Sequence, residues 1–221
     1  METLALFDFD GTLIRGDSIV PYLCRAHAQG DASLGDLMAA ATGYFLFRLH
    51  LRTAEEAKTR ALQFRRRLSP ARRDALDGGF AREYLLPRLY PAGKECLLAH
   101  AQAGRRVALV SASPDNYMRY VAAALGVDLI CTRILPDGRA DVNCSGQEKV
   151  RRLRAYVAQH AWTVDWQASY AYGDSRSDMP MLRLCGHGYA VNPKRALRKA
   201  MRAENTLCWR QEPASRREDS P

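Results

Sequence analysis

A chain of 221 residues with 47% hydrophobic side chains suits one large domain, or a core with a modest second lobe, and is too apolar for wholesale disorder. Its formal net charge of +9 favours anionic partners, among them phosphorylated metabolites, nucleic acid and anionic lipid surfaces, but a basic exterior by itself says nothing about fold. The six cysteines, Cys24, Cys96, Cys131, Cys144, Cys185 and Cys208, form no Cys-x-x-Cys pair and no zinc-type spacing with histidine, which argues against a zinc module and predicts reduced thiols in the cytoplasm.

The opening Met1-Glu2-Thr3 lacks the basic region of a secretory signal, and Asp8 and Asp10 follow at once. Leu4-Ala5-Leu6-Phe7 reads as a short buried strand that meets a turn at Asp10-Gly11. About a hundred residues then pass without a clear strand, far more than a simple crossover needs. Ser18 to His27, Leu34 to Leu49, Thr53 to Leu68 and Pro70 to Tyr84 have helical spacing, so residues 16–91 are expected to form an inserted helical lobe, hinged near Gly16 and the Pro87 to Gly93 region. Within it the apolar stretch Leu37 to Phe47 falls short of the roughly 20 residues a membrane span requires. It predicts a buried helix, with a helix lying on a membrane surface as the alternative.

The second strand is Arg106 to Val110, ending at Ser111. Ser113-Pro114 then resembles an N-cap followed by a first-turn proline, opening a helix over Asp115 to Leu125 that Gly126 stops. Leu129-Ile130-Cys131, Ala168 to Tyr172 and Gly188 to Val191 are three further strands, the last two meeting Gly173-Asp174 and Asn192-Pro193. Glu148 to Gln159, Met179 to Cys185 and Arg195 to Arg202 are helical. Strands alternating with helices imply an α/β fold, a Rossmann-like doubly wound parallel sheet covered on both faces. Its core is expected to comprise residues 1–15 and 92–209, with a frayed polar tail over 210–221.

In such sheets, sites form at the carboxyl ends of the strands. Asp8 and Asp10, Ser111, and Asp174 stand at three of these ends, and Lys149 begins the helix before the fourth strand. Asp8 and Asp10 are two apart, so an extended chain can point both carboxylates into one site. Close carboxylates repel unless a cation or proton lies between them. With Asp174 and Asp178 they make four acidic groups at one edge, a hard oxygen set that suits Mg²⁺. Ser111, between a strand and a helix N-terminus, suits a phosphate, and Lys149 can neutralise phosphoryl oxygens.

Together these residues resemble the haloacid dehalogenase superfamily of phosphatases, over Leu4 to about Pro193. The four motifs appear in order as Asp8-Phe9-Asp10-Gly11-Thr12, Leu109-Val110-Ser111, Lys149 within Gly146-Gln147-Glu148-Lys149, and Gly173-Asp174-Ser175-Arg176-Ser177-Asp178. The resemblance implies that Asp8 attacks phosphorus, that Asp10 protonates the leaving oxygen and later activates water, and that Ser111, Ala112 and Lys149 hold the phosphoryl group. It also implies Mg²⁺ held by Asp8, Asp10 through its main-chain carbonyl, and Asp174, with Asp178 nearby. The helical lobe resembles the cap of the subgroup containing phosphoserine phosphatase and phosphatidylglycerophosphatase C. Asp17 stands where phosphoserine phosphatases bind the substrate amine. Ser111-Ala112-Ser113 replaces their Ser-Gly-Gly, and Ser177 replaces an asparagine.

The expected substrate is therefore a small phosphorylated metabolite, phosphoserine-like or histidinol-phosphate-like. A lipid phosphate is the alternative, because Leu37 to Phe47 and the basic Arg48, Arg52, Arg65, Arg66 and Arg67 could bring peripheral contact with a membrane. A phospho-accepting receiver would lack the acid at Asp10 and the helical lobe. No nucleic-acid recognition motif accompanies the basic runs, so nucleic acid is not an expected partner. Oligomeric state is not encoded in any of these features.

Overall fold

A computed structural model of the protein describes residues 1–210; the expected tail lies, beyond its first residue, outside the described residues. The core is a six-stranded parallel sheet in the order β3-β2-β1-β4-β5-β6. Its strands are β1 (Leu4–Phe7), β2 (Arg106–Pro114), β3 (Asp128–Thr132), β4 (Tyr170–Gly173), β5 (His187–Val191) and β6 (Thr206–Leu207). Alternation places Ala5, Phe7, Leu109, Tyr172 and Val191 in one apolar layer, with Leu97, Tyr117 and Val121 from the helices on that side. Leu4, Leu6, Val110, Ala171 and Ala190 enter the opposite layer with Leu153, Met181 and Leu182. Burial on both faces is why these strands are short apolar runs rather than alternating ones.

Every element between β1 and β2 is helical: α1 (Ile19–Ala28), α2 (Leu34–Arg48), α3 (Ala54–Leu62), α4 (Pro70–Phe80) and α5 (Pro91–Gln102). Ser33 and Thr53 form capping boxes with Asp36 and Glu56, and Ser69 caps α4 ahead of Pro70. Then follow α6 (Asp115–Leu125), α7 (Gln147–Gln159), α8 (Met179–Leu184) and α9 (Arg195–Arg198). The chain leaves β1 towards β2 and β3, then returns to the other side of β1 as β4. This reversal opens a crevice at the carboxyl end of β1.

The fold differs from the sequence reading in several elements. The expected helix over Thr53 to Leu68 stops at Leu62 and tightens into a 3₁₀ turn, Gln63–Arg67. The one over Pro70 to Tyr84 passes at Phe80 into a π turn, Ala81–Leu85. α5 follows Pro91 where no helix was expected, the two-residue β6 is an addition, and α9 is shorter than Arg195 to Arg202. Ser113 does not cap α6: it lies with Pro114 at the end of β2, across an irregularity in its pairing with β3 between Ser111 and Pro114, and Pro114 itself takes the N-cap position. The Ser113 hydroxyl goes to Asp10 instead of a helix amide.

The Leu37 to Phe47 stretch is not a buried helix. α2 packs through its small side, Asp36, Ala40 and Gly43, where an added Cβ at Gly43 would lie 3.4 Å from Arg60 and 3.7 Å from Ala57. Close approach along this seam leaves the large apolar side chains outside. Leu34, Met38, Tyr44, Phe45, Leu49 and Leu51 are all at least half exposed. Among the described residues no helix is long and apolar enough to cross a membrane.

Beneath the sheet, His100 of α5 lies edge-on to Phe7 and pairs through Nε2 with the Tyr172 hydroxyl at 2.8 Å. Burial, and then the Arg105 guanidinium, pull its pKa down to about 4, so the imidazole is neutral in the fold. The unfolded chain takes up a proton below pH 6.5 that the fold excludes until about pH 4. Stability is therefore complete above pH 6.5 and drains away as pH falls towards 4. Urea unfolding at pH 7 and pH 4.5 should show His100→Gln losing roughly 2 kcal/mol less than the unsubstituted protein over that interval. Equal losses in the two proteins would mean that His100 is not the group responsible.

Candidate active site

The chain passes from β1 into a tight turn in which the amides of Thr12 and Leu13 both donate to the Phe9 carbonyl. Gly11 makes the turn with φ +84°, and a Cβ there would lie 2.2 Å from Asp174 Oδ2. Only glycine fits both the backbone and that neighbour. The turn leaves Asp8 at the strand end, its amide donating to the Tyr172 carbonyl of β4 at 2.9 Å.

Asp8 is buried and held on both oxygens. Thr12 Oγ1 donates to Oδ2 at 3.0 Å, and Lys149 Nζ donates to Oδ1 at 2.7 Å. Lys149, 1% exposed, donates equally to Asp178 Oδ1 at 2.7 Å. The other Asp178 oxygen accepts from the amide and hydroxyl of Ser175 at 2.9 and 2.8 Å. Burial works against the Lys149 ammonium, and Asp178 and Asp8 outweigh it, so its pKa lies above the ordinary lysine value. Burial likewise opposes the Asp178 carboxylate, but Lys149 prevails and holds it below the ordinary range. Asp8 goes the other way: burial pushes it up to about 7, with Lys149 opposing and Asp178 and Asp174 adding to the rise.

Asp10 faces the same crevice, gripped by two hydroxyls. Its Oδ2 accepts from Ser18 Oγ at 3.0 Å and from Ser113 Oγ, and Ser18 Oγ also pairs with the Tyr117 hydroxyl at 2.8 Å. Asp10 Oδ1 is buried without a partner. Burial, then the nearby Asp17 carboxylate, raise its pKa to about 8, so Asp10 can carry a proton at neutral pH. Ser111 is buried at the end of β2, its oxygen accepting the Ser113 amide at 3.0 Å. Ala112, next to it, is partly buried, and its carbonyl accepts from Thr132 Oγ1 at 2.7 Å.

Carboxylate oxygens of Asp8, Asp174 and Asp178 lie within 4.8 Å of one another. Such a cluster is unfavourable without cations. Lys149 supplies one, and Lys194, on a largely exposed side chain, reaches Asp174 Oδ2 at 2.8 Å. Hard oxygen donors in a buried, acid-rich pocket fit Mg²⁺. Of these three, Asp178 is the most committed already, to Lys149 and Ser175.

Asp8, Asp10, Ser111, Lys149, Asp174 and Asp178 thus converge from widely separated parts of the sequence. Asp17 stands apart: it is exposed, and its Oδ1 accepts the Ile19 amide at 2.8 Å in the turn that leads into α1, while its charge is still felt at Asp10. The clasp on Asp10 by Ser18 and Ser113, with Tyr117 behind Ser18, was not legible in the sequence. Nor was Lys58 of α3, which reaches across to Asn143 Oδ1 of the core. Burial pulls the Lys58 pKa down, with the Asp17 and Asp10 carboxylates opposing.

A sequence profile described as haloacid dehalogenase-like hydrolase matches residues 5–183. The chain belongs to that family. A histidinol-phosphatase of Neisseria meningitidis is 28% identical, covering 90% of this chain and 94% of its own. A phosphoserine phosphatase of Mycobacterium tuberculosis is also 28% identical, over 91% of this chain and 68% of its own. Among solved structures, a Bordetella pertussis protein of unknown function superposes with TM-score 0.83 at 27% identity, over 94% of this chain and 98% of that one. A phosphoserine phosphatase from Vibrio cholerae shares the fold, with TM-score 0.68 at 17% identity over 93% of this chain and 60% of that one. The chain is an enzyme of this hydrolase family, of the phosphatase kind.

Lys149→Met would strand two buried carboxylates. The variant should lose about 3–5 kcal/mol of stability at pH 7 without added metal, and the loss should shrink as pH falls and the carboxylates protonate. Denaturant unfolding across pH reads this directly; a loss that does not change with pH would exclude the electrostatic origin.

Proposed function

We propose that the protein is a Mg²⁺-dependent phosphomonoester phosphatase that works through an aspartyl-phosphate on Asp8. The observation that carries this reading is the pairing of two unlike carboxyls: Asp8, tethered by Lys149 and Thr12, and Asp10, raised to about 8 beside it. An Asp8 oxygen attacks phosphorus as the bond to the leaving oxygen breaks, and Asp10 gives that oxygen its proton. Asp10, now a carboxylate, takes a proton from water, which attacks phosphorus and breaks the bond to Asp8, releasing phosphate. Ser111, Ala112 and Lys149 hold the phosphoryl oxygens. Asp8, Asp174 and the Asp10 carbonyl would hold Mg²⁺, with Asp178 behind them, and the ion would neutralise phosphoryl charge.

The substrate in this reading is a small soluble phosphate ester carrying an amine, as phosphoserine and histidinol phosphate do. Support comes from the relatives named for those substrates and from Asp17, an exposed carboxylate near Asp10. The six free thiols support a cytoplasmic location. A small phosphorylated molecule, not nucleic acid, is the partner. The exposed apolar side of α2, with Arg48 and Arg52 at its end, favours a second reading, a phosphatidylglycerophosphate-type lipid.

Asp8→Asn should abolish Mg²⁺-dependent release of phosphate from an aryl phosphate while the melting curve stays cooperative. Chelation should silence the native enzyme reversibly, and undiminished turnover by the variant would sink the mechanism. A panel of soluble phosphoamines set against lipid phosphate in mixed micelles separates the two substrate readings. For amine-bearing substrates, Asp17→Asn should raise KM about tenfold, equivalent to losing one charge-assisted contact, with little change for the aryl phosphate.

A further inference from the structure

A cavity of about 310 Å³ opens between the helical elements that follow β1 and the start of α6, and none of the residues at the Asp8 crevice lines it. Its polar lining comes from Arg65, Arg66, Arg73 and Arg119, with Asp115 and Asn116 at the beginning of α6. The charges are not matched. Arg65 is neutralised by the buried Asp77 behind it, 2.8 Å from Nη2 to Oδ2. Asp115 gives one oxygen to the Ile134 amide at 2.9 Å. Arg119 meets Asp74 only at 3.5 Å. Arg73 spends Nε on the Leu68 carbonyl at 3.1 Å and keeps its terminal nitrogens. Arg66 has no ion pair or hydrogen bond among the described residues.

Two further observations set this cavity apart from a solvated basic surface. Arg66 is laid against Gly138, whose φ is +80° and whose missing Cβ would lie 2.9 Å from Arg66 Nε and 3.2 Å from its Cγ. The exposed Arg66 side chain therefore runs close against this turn. Asn116 is 95% buried; its Nδ2 donates to Asp77 Oδ1 at 2.8 Å, and its Oδ1 has no partner. A buried acceptor left in that state costs about 1–3 kcal/mol. A ligand reaching Asn116 from the cavity needs an N–H or O–H to satisfy it.

We propose that this cavity is a second binding site, for a small organic anion that bears a phosphate or carboxylate for Arg66 and Arg73 and an N–H or O–H donor for Asn116. The volume lies at the small end of ligand sites and suits a metabolite rather than a polymer. Guanidinium groups present planar pairs of donors matched to such oxyanions.

Calorimetric titration of the full chain with β-alanine and with propionate, carboxylates that are not phosphate esters and so not substrates of the Asp8 site, tests this. Three proteins are compared: the unsubstituted chain, Asp8→Asn, and the double variant Arg66→Ala/Arg73→Ala. β-Alanine should bind the first two alike and lose about tenfold or more in affinity in the double variant, which keeps its turnover of aryl phosphate. Propionate, without the donor, should bind at least about threefold more weakly than β-alanine. Binding that disappears in Asp8→Asn and survives in the double variant would place the ligand at the catalytic crevice alone and overturn the proposal, as would equal affinity in all three. Arg66→Gln, a single change on an exposed side chain, gives the same reading if the double variant does not fold. The outcome is independent of whether Asp8 is the nucleophile.

Discussion

The site depends on one buried ammonium. Lys149 comes from the first turn of α7 and bridges Asp8, at the end of β1, to Asp178, beyond the end of β4, at 2.7 Å each. Removing two carboxylates and a lysine from water is costly, and their mutual attraction offsets that cost only when the geometry is good and the remaining oxygens are satisfied. Thr12 and Ser175 supply those remaining bonds. The triad thus fixes the orientation of the Asp8 carboxylate. It also leaves Asp8 and Asp174 with an excess of negative charge, the condition a divalent cation relieves.

Asp10 is set by a different means. No lysine bonds to it; the hydroxyls of Ser18 and Ser113 do, Tyr117 pairs with Ser18 behind them, Lys58 acts only through its charge, and Asp17 adds a like charge. Two carboxyls two residues apart therefore meet different surroundings, one bonded to a buried ammonium and the other to hydroxyls beside a like charge. Such a division allows one to act as a nucleophile and the other to carry a proton. Ser18 precedes α1 and Ser113 lies near the end of β2, so Asp10 is held jointly by the helical elements and the sheet. α3 adds to that junction. Glu55 accepts the Asn143 amide at 2.7 Å, Thr59 accepts the Ala140 amide at 2.9 Å, and Lys58 meets the Asn143 side chain.

Much of the sheet was legible as sequence because strands buried on both faces are continuous apolar runs, and Leu4 to Phe7 or Arg106 to Val110 can be little else. Asp8, Asp10, Ser111 and Asp174 were legible because strand ends in a doubly wound fold must converge, while Lys149 and Asp178 were legible as parts of the family's motifs. α2 was misread for a physical reason. Hydrophobicity tells which residues avoid water but not which side of a helix finds a neighbour, and here the small seam of Asp36, Ala40 and Gly43 made the contact. Ser113 was misread because a serine before a proline is a good cap locally, whereas its hydroxyl is used 103 residues away in sequence, on Asp10.

By itself, then, the sequence determined the α/β class and the oxygen-rich set of side chains around Asp8, because these rest on apolar runs and on residue types at strand ends, and the order of its motifs, because that is the family's pattern. Only the tertiary structure decided that Lys149 is shared between Asp8 and Asp178, that Asp10 is clasped by hydroxyls, that the apolar side of α2 faces outward, and that Arg66 and Arg73 meet Asn116 around one cavity. Each of these joins residues far apart along the chain. Their distances and burial follow from how helices and sheet pack together, which no local pattern records.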